Sequence, residues 1–235
     1  MSETGGRILK NPIVALLVTG AIAVAATYAA RAIGSSGGGF VPPSFTTHTV
    51  ILVLSVALAW VISGGRPELF GLGRGSYRFS PRILLWVLPT AALSTAALVA
   101  GARGSGAGPT EGMSRLQLIV FVWVYASVCE EVLTRGLLQT LLDNDGRSRC
   151  VRRRGLGMPV VVGALFFAAM HLVLVRSMGP AAVPVIVLTF GLGLVAGRYR
   201  ERTGSLIPAI IVHALFNIGA MTPAWIAGWL ASPGL

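Results

Sequence analysis

The sequence predicts an all-α, polytopic transmembrane bundle of seven to eight spans, one integral membrane domain over residues 1–235. Three observations lead there. Of the 235 residues, 54% are hydrophobic and only 11% charged, with a mean hydropathy of +0.77, a balance that no ordinary soluble domain needs to close its core. The apolar residues gather in runs near the length of about 20 that crosses about 30 Å of hydrocarbon. Basic residues, finally, segregate to alternate connections between those runs.

Open sheet edges cannot survive in lipid, so each run is read as a helix. The first, residues 12–33, follows Arg7 and Lys10 but is too long for the apolar region of a signal peptide, and further spans follow it. Gly34-Ser35-Ser36-Gly37-Gly38-Gly39 with Pro42-Pro43 then makes a flexible outer loop. The second and third runs, 46–63 and 83–101, are joined by a glycine- and arginine-rich connector, 64–82, that fixes topology. The fourth, 116–142, carries the densest polar chemistry. Runs 158–176, 181–197 and 205–220 complete seven spans, and 222–232, with Trp225 and Trp229, is a short eighth segment suited to the interface.

Arg7 and Lys10; Arg66, Arg74, Arg78 and Arg82; Arg147, Arg149, Arg152, Arg153 and Arg154; and Arg198, Arg200 and Arg202 lie on one side of this topology, fourteen in all. The other side has four: Arg31, Arg103, Arg115 and Arg176. That asymmetry places the N-terminus and the Arg152–Arg154 loop in the cytoplasm, with a prokaryotic plasma (inner) membrane expected. The net charge of +11 thus belongs to membrane topology and does not call for nucleic acid. Cys129 and Cys150 form no disulfide or zinc pattern.

Eight acidic residues exist, and six of them (Glu3, Glu68, Glu111, Asp143, Asp145, Glu201) fall in polar connections. Glu130 and Glu131 do not. A carboxylate at bilayer depth costs about 2.5–3.5 kcal/mol on insertion scales, so such groups face a protein interior or a water-filled cavity and serve a purpose. Glu131 and Arg135 are four apart on one helix face, the spacing of an ion pair, while Glu130 points about 100° away with no partner on its own helix. Phe167 and His171 share a face of the fifth span, and His213 and Asn217 share one of the seventh. Counted from the cytoplasmic ends at about 1.5 Å per residue, Glu130 lies roughly 18 Å deep, His171 roughly 20 Å and His213 roughly 12 Å. At these depths the groups can converge around a water.

Glu130-Glu131-Val-Leu-Thr-Arg135, Phe167-Ala-Ala-Met-His171 and His213-Ala-Leu-Phe-Asn217 resemble, in order, the E-E-x-x-x-R, F-x-x-x-H and H-x-x-x-N motifs of the CAAX protease and bacteriocin-processing (CPBP, or ABI) family. That family includes the type II CAAX prenyl endopeptidases, and the resemblance spans a catalytic core at about 116–220. It implies an intramembrane glutamic endopeptidase with no metal, no cofactor and no acyl intermediate. By the same resemblance Glu130 acts as general base on a water with help from His171. His213 and Asn217 hold the oxyanion, and Glu131 and Arg135 support the pair. The implied partner is a membrane-associated protein or peptide substrate in the lipid bilayer; neither its identity nor the oligomeric state is written in the sequence.

Blander readings compete. Glu131 with Arg135 reads better as a structural ion pair, and Phe167 as wall packing. His48, near the start of the second span, reads as an interfacial residue, and Cys129 as a small buried side chain. Two rivals concern function. Glu130, His171 and His213 could supply a zinc site, although no H-E-x-x-H helix is present. A non-catalytic immunity or binding protein, or a proton relay, would also use intramembrane carboxylates.

Overall fold

A computed structural model describes residues 11–33, 39–42, 44–73, 75–99, 110, 112–143 and 155–230. Arg7, Lys10, residues 34–38 of the glycine-serine loop, Arg74, Arg103 and the Arg152–Arg154 triplet lie outside them. Among the described residues the regular structure is entirely helical.

Helix α1 (Pro12–Ile33) begins where the Asn11 side chain accepts the Ile13 N–H at 2.9 Å. Pro12 opens the helix, at a position whose N–H would be unpaired in any case. The chain then turns back into α2 (Ser44–Ser63), which packs along α1. A 3₁₀ stretch, Pro81–Val87, leads into α3 (Leu88–Val99), so the third predicted span enters on a tighter helix than expected. The long helix α4 (Arg115–Leu142) is started by a capping box between Ser114 and Gln117, and Gln117 also donates to the Phe40 carbonyl at 2.8 Å. Two stretches of α4, Leu118–Ala126 and Val132–Leu138, have the wider π-type turn, and they flank Ser127–Glu131. Such widening re-aims successive side chains and recurs at functional sites.

Helix α5 (Met158–Met170) continues through a 3₁₀ turn, His171–Leu174, and a short helical turn to Gly179. There the backbone takes φ +56°, and α6 (Ala182–Thr203) returns along α5. The helix of the sixth span thus runs six residues beyond the expected span end at 197. Its last turns are held by the Arg198–Glu201 pair (2.5 Å) and stopped at Gly204, with φ +70°. Glycines set how near α5 and α6 come: an added Cβ at Gly193 would lie 2.7 Å from Ala164, and one at Gly197 would lie 2.9 Å from Val160.

Helix α7 (Ile207–Leu230) takes in the seventh span and, of the expected eighth segment, residues 222–230; the rest lies outside the described residues. The expected boundary fell between 220 and 222, and Pro223 sits just beyond it, inside the helix. Ending a helix in lipid strands several backbone groups, whereas one internal proline strands a single carbonyl, so the helix continues. Among the described residues, five helical stretches are long and apolar enough to cross a membrane: Pro12–Ile33, Ser44–Ser63, Arg115–Leu142, Met158–Thr203 and Ile207–Ala227. Leu17, Trp60, Val124, Leu165, Val187 and Ile226 are each more than half exposed on the outside of the bundle, an apolar skin that suits acyl chains and not water.

The arginine-rich end of the bundle is tied together. Ser76 N–H donates to the Thr203 carbonyl (2.8 Å), Leu206 N–H to that of Gly71 (3.0 Å) and Ser205 Oγ to that of Gly73 (2.6 Å). Arg200 reaches both the Leu69 carbonyl and Thr140 Oγ1 at 3.2 Å. Gly75 is required here, since φ is +53° and a Cβ would sit 2.3 Å from the Thr203 carbonyl oxygen.

Candidate active site

The deepest layer of the site is a buried ion pair. Glu131 is fully enclosed and Arg135, one turn on along α4, is 1% exposed. Glu131 Oε1 accepts from the Arg135 guanidinium and from His213 Nδ1, both at 2.9 Å. The guanidinium also donates to Thr134 Oγ1 (2.6 Å) and lies 4.5 Å above the centre of the Phe167 ring. The enclosed Phe167 ring stands edge-on to both His171 (5.0 Å) and His213 (5.4 Å). One carboxylate and one aromatic ring therefore fix the guanidinium and orient both imidazoles.

Glu130 faces the other way, as its position one residue earlier requires. Its Oε1 lies 3.1 Å from His48 Nε2, and its Oε2 lies 3.7 Å from His213 Nε2. Thr134 Oγ1 donates to the Glu130 main-chain carbonyl at 2.6 Å, tying down the turn that carries the carboxylate. Glu130, His48, His171, His213 and Asn217 all line one cavity of about 620 Å³. The groups expected to converge from three spans do so, and a fourth span joins them.

Hydrogen bonds on the far side of each ring fix what the imidazoles offer. His171 Nδ1 is 2.9 Å from the Phe167 carbonyl and His48 Nδ1 is 2.7 Å from that of Ser44. A carbonyl only accepts, so both rings carry their proton on Nδ1, and the carboxylate of Glu131 asks the same of His213. In the neutral ring Nε2 is then the lone-pair nitrogen of His171 and His213. His48 differs, because its Nε2 meets the Glu130 carboxylate, and that contact requires a proton on one of the two. His48 and Glu130 therefore share a proton within the cavity.

Asn217 reaches the cavity with its amide N–H groups already engaged, to the Val122 carbonyl (3.1 Å) and to Ser127 Oγ (3.2 Å). Ser127 in turn donates to the Trp123 carbonyl at 2.7 Å. Cys129, next to Glu130 in sequence, is fully enclosed within the packed core. Among the described residues, no three His, Cys, Asp or Glu side chains are gathered in metal-holding geometry.

The reading of His48 as an interfacial residue is corrected by these contacts. A signal for it was present: the polar residues Ser44, Thr47 and His48 fall at i, i+3 and i+4 on one face of the helix, and all three line the cavity, with Ile51 of the same face beside them. A polar stripe at helical spacing in a membrane span points inward to something polar.

Residues 112–219 match the family model described as type II CAAX prenyl endopeptidase Rce1-like, in keeping with the resemblance seen in the three motifs. The matched segment contains Glu130, Glu131, Arg135, Phe167, His171, His213 and Asn217, and leaves out α1, α2 and therefore His48. No curated protein and no solved structure matches the chain.

Proposed function

We propose, from the type II CAAX prenyl endopeptidase match over residues 112–219 and the geometry around Glu130, that this chain is an intramembrane glutamic endopeptidase acting on a membrane-associated protein or peptide. One observation carries the reading: a carboxylate and three imidazoles, from four different helical segments, share a cavity inside an apolar bundle. Burying such groups is unfavourable unless they hold something polar, and a water beside a carboxylate is the simplest nucleophile they could hold.

In the proposed reaction Glu130 takes a proton from that water as its oxygen bonds to the scissile carbonyl carbon, with the His171 Nε2 lone pair orienting the water. The carbonyl oxygen becomes an oxyanion. His213 stabilises it in its imidazolium form, having taken a proton on Nε2 from cavity water before the attack and keeping it through the step, and Asn217 does so by exchanging its Ser127 contact for the oxyanion. Collapse of the intermediate breaks the C–N bond, and the proton held by Glu130 passes to the leaving amine. Glu131 and Arg135 hold the His213 ring throughout, and His48 holds the Glu130 carboxylate.

The proposed topology counts residues 81–99 as one crossing and the two arms of Met158–Thr203 as two, which makes seven, with the N-terminus and the arginine-rich end in the cytoplasm. Residues 1–235 form one domain whose catalytic core is about 116–220. The test is a comparison of protein termini in membranes of cells expressing wild type or Glu130→Gln at equal levels. At least one protein should keep an intact terminus only in the variant. Identical terminal profiles would overturn the proposal and favour a membrane partner that binds without cleaving.

A further inference from the structure

The two ends of the bundle treat the site differently. On the arginine-rich side, α4 is buried without interruption from Glu131 to Gln139, and Gln139 donates to the Gly197 carbonyl at 3.0 Å. Below that, residues 69–76 are hydrogen-bonded to 200–206. Among the described residues, none in those connections lines the cavity that holds Glu130. Its lining instead climbs toward the opposite end, through Thr27 near the end of α1, Ser44 and Thr47 at the start of α2, and Thr110 and Met113 just before α4. That these belong to one end follows from the chain path and from the hydrogen bond of Gln117 to the Phe40 carbonyl.

The cavity also has two kinds of wall. Thr27, Ser44, Thr47 and Thr110 offer hydroxyls that can hydrogen-bond an extended backbone. Between α1 and the α5 segment the lining is apolar: Val24 and Val173 are 56% and 65% exposed, with Phe166 and Leu174 beside them. Gly20, on the same stretch of α1, has nothing within 4 Å of where a side chain would start.

We infer that substrate reaches Glu130 from the arginine-poor face, and that it is an extracytoplasmic polypeptide segment whose scissile bond adjoins an apolar stretch, such as the outer end of a membrane anchor. The inference rests on the proposed protease reading and on the arginine-rich face being cytoplasmic. Threonine hydroxyls receive the extended backbone, and the gap between α1 and α5 receives the apolar flank. A tail presented from the cytoplasm would meet the hydrogen-bonded end of the bundle first.

The test reads access directly and needs no cleavage. In a Cys150→Ser background, which leaves only the enclosed Cys129, Thr47→Cys reports the cavity mouth and Arg78→Cys the arginine-rich connector. A membrane-impermeant maleimide is applied to intact cells and to inside-out vesicles, with detergent-denatured protein as the full-labelling reference. Thr47→Cys is expected to label in intact cells as fully as the denatured reference, and Arg78→Cys to lose labelling there and regain it in inside-out vesicles. Thr27→Cys serves as the second mouth variant should Thr47→Cys not accumulate. Labelling of the mouth only in inside-out vesicles, or in neither preparation, overturns the inference. The protease reading is separately exposed: cleavage points mapped to cytoplasmic segments sink the access route alone, whereas outside labelling with no altered terminus sinks the protease alone.

Discussion

Removing the Glu131 charge should destabilise the protein far more than removing the Glu130 charge. Glu131→Gln keeps the side chain's shape and can still accept from His213, but it leaves the Arg135 guanidinium, 1% exposed, without its counter-ion. Breaking a buried pair by deleting one partner costs about 3–5 kcal/mol. At about 2–4 °C per kcal/mol for a chain of this size, the midpoint should fall by roughly 6–20 °C. Replacing both members, as Glu131→Gln with Arg135→Met, removes the stranded charge and should recover most of that loss, since an apolar substitute for a buried pair is often neutral or better. Thermal unfolding of purified protein in detergent, followed by tryptophan fluorescence, gives all four corners of the cycle. A Glu131→Gln midpoint within about 2 °C of wild type, or a double variant that loses the sum of the two single losses, would refute the role assigned to this pair.

The other expectations are these. His48→Ala should slow cleavage on the order of 10- to 100-fold, the worth of one hydrogen bond to a charged group, with little change in midpoint; His48→Gln, which can still donate to Glu130, should recover part of the rate, and an unaltered rate in His48→Ala would remove it from the site. Asn217→Ala should lower kcat by about 10²- to 10³-fold if its amide turns to the oxyanion, and a change confined to KM would count against that role. Gly193→Val should cost about 1–3 kcal/mol in thermal unfolding, because its Cβ would start 2.7 Å from Ala164; a neutral result would mean that α5 and α6 do not pack this closely.

Much of this was legible in the sequence because lipid makes the pattern simple. Long apolar runs cannot be anything but helices, and a charged side chain inside one must have a reason, so Glu130, Glu131 and Arg135 marked the candidate site by their placement alone. Spacing of four placed Phe167 with His171 and His213 with Asn217, and rough depth was enough to bring the histidines toward Glu130. What failed had local causes. The boundary expected between 220 and 222 ignored how strongly lipid penalises a helix end. The helix also outruns the span end expected at 197, because Arg198 and Glu201 pair along it and let it project past the apolar layer. His48 was misplaced because its distance from the nearest end of α2 is short, and depth counted along one helix cannot show that α4 brings Glu130 up beside it. The hydrogen bonds that hold Asn217 to Val122 and Ser127 depend on side-chain directions that no spacing rule supplies.

The most direct test of the central claim is cleavage of a peptide library by purified protein in proteoliposomes, with chelator present, comparing wild type with Glu130→Gln. Wild type should cleave in chelator, and Glu130→Gln should lose about 10²- to 10⁴-fold in rate at an unchanged unfolding midpoint, the range expected for removing a general base. Equal rates in the two proteins, or wild-type cleavage abolished by chelator and restored by zinc, would contradict it.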